Sequence, residues 1–165
     1  MANQRAQIVM SDDEVRQFLA EQRSSTIATV GPSGQVHLVG MWYAVLDGQV
    51  WIETKVKAQK VVNLRRDPRM SFLVESGHTY DQLRGVAMEG RGVVVEDADV
   101  VWDVCVNIFE RYNGEYTEEM KPFVEFMAKN RAAVRLDVDR VRSWDHRKLG
   151  LPAMELGGST APYVG

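Results

Sequence analysis

From Thr54 to Asn63 the chain reads Thr-Lys-Val-Lys-Ala-Gln-Lys-Val-Val-Asn, where a strand ends and a helix begins. A helix start presents unpaired backbone N–H groups and the positive end of the helix dipole, so its first turn favours acids. Lys57 and Lys60 run against that preference. A bound phosphate would offset the cost through backbone donors and charge-assisted hydrogen bonds. A solvated basic helix face is the other reading of the same spacing. A second cluster, Ser143-Trp144-Asp145-His146-Arg147-Lys148, sets an indole, an imidazole and cations within six residues. The indole suits covering a ring while His146 or Arg147 meets an anionic or carbonyl group. An interface or C-terminal anchor uses the same residue types. Met41-Trp42-Tyr43 offers a flat apolar wall for an aromatic ring, or ordinary barrel core.

Other chemistries lack their residues. His37, His78, His146 and Cys105 have no metal-ligand spacing, so no metal site is expected. There is no G-x-S-x-G elbow and no P-loop. Gly90-Arg91-Gly92 has no third glycine and sits within a strand pattern, which argues against a dinucleotide fingerprint.

The elements that must position these residues follow from period and turn signals. Ser11 and Glu14 form an S-x-x-E capping box ahead of Val15, Phe18 and Leu19, predicting a helix over 11–22. Thr26 to Val30 is a short β-branched strand closed by Gly31-Pro32-Ser33-Gly34. Gln35 to Leu46 reads as one strand, Asp47-Gly48 as a hairpin turn and Gln49 to Thr54 as the next strand. Short turns predict that these three form an antiparallel meander. A short helix spans Lys57 to Arg66, stopped by Asp67-Pro68. Strands follow at Arg69 to Glu75 and Arg84 to Glu96, the second with Gly85, Gly90 and Gly92 as candidate bulges or close approaches. Two helices, Asp99 to Tyr112 and Glu118 to Lys129, flank an Asn113-Gly114 turn. A last strand runs from Arg131 to Val141, and residues 150–165 form a Gly-, Pro- and Ser-rich tail. The expected architecture is mainly β (α+β), one domain over 1–165. It has about six antiparallel strands, flanking helices and a sheet curled into a closed or split barrel.

Composition bounds the function. With 165 residues, 45% apolar and 26% charged, the chain suits one globular domain. No apolar run reaches a membrane span, and the first ten residues lack a signal-peptide core. A lone cysteine excludes an intramolecular disulfide and fits a reducing, cytoplasmic setting. A net charge of −3 argues against broad nucleic-acid binding. Against that acidic background, Lys55 to Arg69 holds six basic residues and one acid.

The order of these features resembles the pyridoxamine 5'-phosphate oxidase-like superfamily. They are the Gly31-to-Gln35 turn, Met41-Trp42-Tyr43, Asp47-Gly48, Glu53-Thr54-Lys55, Lys60, Asn63 to Pro68 and the closing Trp144 to Lys148. Within that superfamily the chain is most similar to the actinobacterial flavin/deazaflavin oxidoreductases of the B group. The resemblance covers nearly the whole chain. It implies a split β-barrel homodimer with cofactor sites in the grooves between subunits, and coenzyme F-420 as cofactor, with FMN the alternative. Thr54 and Lys60 match the superfamily's phosphate-binding threonine and lysine. Gln59 stands where the flavin oxidases commonly carry arginine. Lys55 and Lys57 add charge suited to the oligoglutamate tail of F-420. The remaining cofactor-binding residues implied are Met41, Trp42 and Asn63, with Trp144, His146 and Arg147 closing the groove from the second subunit. His146 and Arg147 are candidates for steadying charge on a small-molecule acceptor. The implied activity is hydride transfer between the deazaflavin and an organic acceptor. The alternatives are an FMN-dependent oxidase or reductase and a non-catalytic F-420 carrier. Trp102, Phe109 and Trp144 are candidate dimer anchors.

Overall fold

The computed structural model describes residues 3–157. After a short helix, Gln4–Ile8 (α1), the predicted N-terminal helix spans Asp12–Glu21 (α2). Both halves of its capping box form: Ser11 Oγ accepts from Glu14 N–H, and Glu14 accepts from Ser11 N–H. The strands are Ser25–Val30 (β1), Val36–Met41 (β2), Ala44–Leu46 (β3), Gln49–Lys55 (β4), Arg69–Ser76 (β5), Arg84–Val95 (β6) and Arg131–Asp145 (β7). Gln59–Arg66 forms α3, Ala98–Tyr112 α4 and Lys121–Ala128 α5. The sheet is seven-stranded in the order β2-β1-β5-β6-β7-β4-β3, with every neighbouring pair antiparallel. It curls into the expected split barrel.

Two expectations are corrected. The stretch from Gln35 to Leu46 is two strands, which raises the count from about six to seven. The meander also fails, because β2 lies at one edge of the sheet and β3 with β4 at the other. The chain crosses between edges at Trp42-Tyr43. The physical reason lies in Tyr43. Its ring is fully buried, its hydroxyl lies 2.7 Å from the Leu19 carbonyl, and its backbone leaves the sheet. Helix α4 satisfies that backbone: Tyr43 N–H donates to Tyr112 Oη at 3.0 Å, and Arg111 Nε donates to Tyr43 C=O at 2.9 Å. Asn107 Oδ1 likewise accepts from Val45 N–H on the short edge strand β3.

The barrel interior collects Ile27, Ile52, Phe72, Val74, Val86, Val134 and Leu136 from alternating strand positions, with Tyr43 among them. A second cluster forms where α4 lays Val101, Val104, Cys105 and Ile108 against Ala44, Ala133 and Val124. Phe109 is buried in this same cluster, which removes it as an anchor for a partner subunit. Trp102 is partly buried against the cluster and meets Tyr116 edge-on. The β6–β7 ladder is the longest, and its register shifts between Glu89 and Gly90. A Cβ at Gly90 would sit 2.0 Å from the Asp137 carbonyl oxygen, so the close approach there requires glycine. Strand β7 runs four residues past its predicted end and carries Trp144 within the sheet. Among the described residues no helix is long and apolar enough to cross a membrane.

Candidate functional site at the end of strand β4

Strand β4 alternates faces. Val50, Ile52 and Thr54 are buried toward the barrel, while Glu53 and Lys55 project from the other face. Thr54 is the last inward residue, and α3 begins a few residues later. Lys60, in the first turn of α3, donates from Nζ to Thr54 Oγ1 at 3.1 Å. One turn on, Asn63 is fully buried; its Nδ2 donates to Thr29 Oγ1 at 3.0 Å and its Oδ1 accepts from Gln59 Nε2 at 2.8 Å. Gln59 therefore braces Asn63 from within the helix. The start of α3 carries no acidic side chain and no side-chain cap, and the N–H groups of Gln59 and Lys60 have no backbone partner. The segment thus sets a hydroxyl, an ammonium and free helix N–H donors at one place, a donor set that fits a phosphate.

The electrostatics are those of half-buried groups. Burial lowers the pKa of Lys60, opposed by the nearby Glu53 carboxylate. Burial raises that of Glu53, opposed by Arg131 and Lys60. Arg131 Nη1 lies 3.2 Å from Glu53 Oε2, an oxygen that accepts no hydrogen bond in the chain. Cys105, beneath this cluster, is pushed up to about 12 by burial, so at neutral pH it is a packed thiol rather than a nucleophile.

The other predicted residues sit apart from Thr54 and Lys60 in varying degree. Lys55, the last residue of β4, and Lys57, on the turn that follows, are exposed. Met41 packs on the barrel core at the end of β2, and Trp42 is half exposed, its ring stacked on Tyr112 at 4.3 Å between centroids. The closing motif occupies the far end of β7. Trp144 stands opposite Gly85, where an added Cβ would fall 2.1 Å from the indole, so the ring occupies the space that a side chain at Gly85 would fill. His146 Nδ1 is 2.9 Å from the Tyr80 carbonyl, which leaves Nε2 facing away from that contact. Arg147 makes a two-pronged pair with buried Asp145, at 2.9 and 2.6 Å, and holds that carboxyl below its usual pKa. Trp144 and His146 border a groove of about 1030 Å³ that includes Met10, Leu73 and Val141 together with the charged Arg5, Arg140 and Arg142.

Within one chain the two ends do not meet. Strand β7 begins at Arg131, opposite Lys55, and its far end carries Trp144. At ~3.3 Å per residue its length is about 45 Å. Among the described residues no group of His, Cys, Asp and Glu is placed to hold a metal.

Sequence reasoning missed Thr29, Glu53 and Arg131 as members of this region. The alternation Ser25-Ile27-Thr29 on β1 carried the signal for Thr29, since it puts a hydroxyl at an inward position. The signal for Glu53 was an acid two residues before the basic run.

A family model described as pyridoxamine 5'-phosphate oxidase matches residues 11–145. The chain belongs to the pyridoxamine 5'-phosphate oxidase family. Among solved structures, the conserved hypothetical protein Rv2991 from Mycobacterium tuberculosis is 57% identical. That likeness covers 97% of this chain and all of that one, with a TM-score of 0.93. An F-420 reductase shares the fold at 20% identity, covering 76% of this chain and 94% of that one, with a TM-score of 0.61. The heme storage protein HutZ from Vibrio cholerae does so at 14% identity, covering 82% and 97%, with a TM-score of 0.64. None of the curated proteins compared with the chain matches it. Family membership agrees with a flavin-type cofactor.

Proposed function

We propose that the protein is a coenzyme F-420-dependent oxidoreductase that acts as a cytoplasmic homodimer on a small organic acceptor. The observation that carries the reading is the Thr54–Lys60 pair at a helix start without acids, continued outward by Lys55 and Lys57. Thr54 Oγ1, Lys60 Nζ and the first N–H groups of α3 hold the phosphate. Met41 and Trp42 lie beside the ring. Gln59, spent on Asn63, adds no charge at the phosphate, which favours F-420 over FMN. The cofactor supplies hydride chemistry; the chain supplies binding, orientation and exclusion of water. No protein nucleophile is needed, which accords with the burial of Cys105.

The length of β7 supports the two-subunit arrangement. Trp144, His146 and Arg147 reach a Thr54–Lys60 site only from a second copy. The groove beside Trp144, with Val138 and Val141 exposed on β7, suits that copy. His146 Nε2 is the group best placed to steady charge on the acceptor, because Arg147 is engaged by Asp145. Catalysed oxidation of reduced F-420 by a panel of organic acceptors tests the reading. Tight binding without turnover on any acceptor would favour a carrier instead.

A further inference from the structure

Two cations and a carboxylate gather around the end of β4. Lys60 bonds to Thr54 Oγ1, and Arg131 stands on β7 directly opposite Lys55. Glu53 is the diagonal neighbour of Arg131 across the ladder and lies 3.2 Å from it, with its side chain 17% exposed. Lys60 senses both. Burial, the largest influence, disfavours its charge; the Glu53 carboxylate favours that charge and Arg131 opposes it. A carboxylate is an adverse neighbour for a bound anion, and this one is held at a cost. Burial pushes the pKa of Glu53 up, and its Oε2 accepts no hydrogen bond. Packing alone would be served by an uncharged side chain, so what this position supplies is charge. Gln59 carries none and is engaged by Asn63. With Arg131 neutralised by Glu53, Lys60 is left as the single uncompensated cation at the Thr54 hydroxyl among the described residues.

We propose that Glu53 is a specificity-determining residue: by holding Arg131, it sets the site for a singly charged phosphate diester and against a doubly charged phosphate monoester. The role depends on the phosphate lying at Thr54 and Lys60, as proposed above. A monoester is close to a dianion at neutral pH, whereas a diester keeps one charge. In a half-buried site, a phosphate charge without its own cation is costly. Released from Glu53, Arg131 supplies the second cation that a monoester needs. Glu53 touches no phosphate itself; it acts through Arg131 and through its own repulsion of the anion.

The test uses two probes with one ring and one ribityl chain, a 5-deazariboflavin 5'-phosphate and its methyl diester. They are titrated by fluorescence at about pH 8, where the monoester is a dianion. Glu53→Gln should tighten the monoester about tenfold and the diester about threefold, since Coulomb energy scales with the phosphate charge. The readout is the preference between the probes, because lost packing alone would weaken both alike. Arg131→Gln leaves Glu53 unanswered beside Lys60 and should weaken the monoester more than the diester, so it reads the same charge even where Glu53→Gln does not fold. Replacing both residues by glutamine removes the pair and should restore the wild-type preference. An unchanged preference in the folded single variants, with Lys60→Ala still weakening both probes, overturns the role of Glu53 and leaves the phosphate site standing. Failure of both probes to bind, or no response of either to Lys60→Ala, overturns the phosphate site and this role together.

Discussion

Replacing Lys60 by alanine probes the phosphate site at its centre. The side chain is half-buried, with Nζ 3.1 Å from Thr54 Oγ1. Deleting it removes one charge-assisted hydrogen bond to the cofactor phosphate. That is worth about 1.5–3 kcal/mol, or roughly a ten- to hundredfold rise in the dissociation constant of F-420. The fold should tolerate the change. Losing the bond to the Thr54 hydroxyl costs about 1 kcal/mol, and removing a charge that burial disfavours offsets part of it. Arg69→Ala is the matched control. It deletes the same charge from the exposed end of the basic segment, where Arg69 pairs with Asp67 at 2.6 Å. Fluorescence titration of F-420 against both variants, with thermal melts to confirm folding, reads the outcome. The wild-type advantage over Lys60→Ala should also fade as pH rises, and sooner than for an ordinary lysine, because burial lowers the pKa of Lys60. Equal losses in the two variants would mean diffuse attraction rather than a site. No loss in either would refute the placement of the phosphate at the start of α3.

Two further outcomes follow from the packing at the other end of β7. Gly85→Ala drives a methyl into the indole of Trp144, at 2.1 Å before relaxation. It should cost about 1–3 kcal/mol in chemical denaturation and quench or shift tryptophan emission; unchanged stability would show that the ring is free to move aside. In sedimentation the protein should run as a dimer at micromolar concentration; a monomer would remove the shared groove and with it the roles given to Trp144 and His146.

Much of this architecture was legible because it is written in local signals. The Ser11–Glu14 box, the Asp47-Gly48 turn with both residues at positive φ, and the Asp67-Pro68 stop each act over a few residues. The chemistry-bearing segment was legible for the same reason, since lysines at a helix start contradict a local preference. The break at Trp42-Tyr43 was not, because the groups that replace the lost ladder bonds, Asn107, Arg111 and Tyr112, lie on α4, more than sixty residues further along the chain. No periodicity in Gln35 to Leu46 reports such partners. Thr29 joins Asn63 across a gap of 34 residues. The burial of Phe109 shows the converse: an aromatic that suits an interface by type is consumed by the chain's own second core.

The central claim is that the Thr54–Lys60 end of β4 is built for F-420 rather than FMN. Parallel fluorescence titrations of the purified protein with the two cofactors at one ionic strength test it directly. The account predicts a colourless protein that binds F-420 more tightly than FMN, with the F-420 affinity falling more steeply as salt rises because several carboxylates face Lys55 and Lys57. A yellow protein that retains FMN through purification, or equal affinities with equal salt slopes, would contradict it.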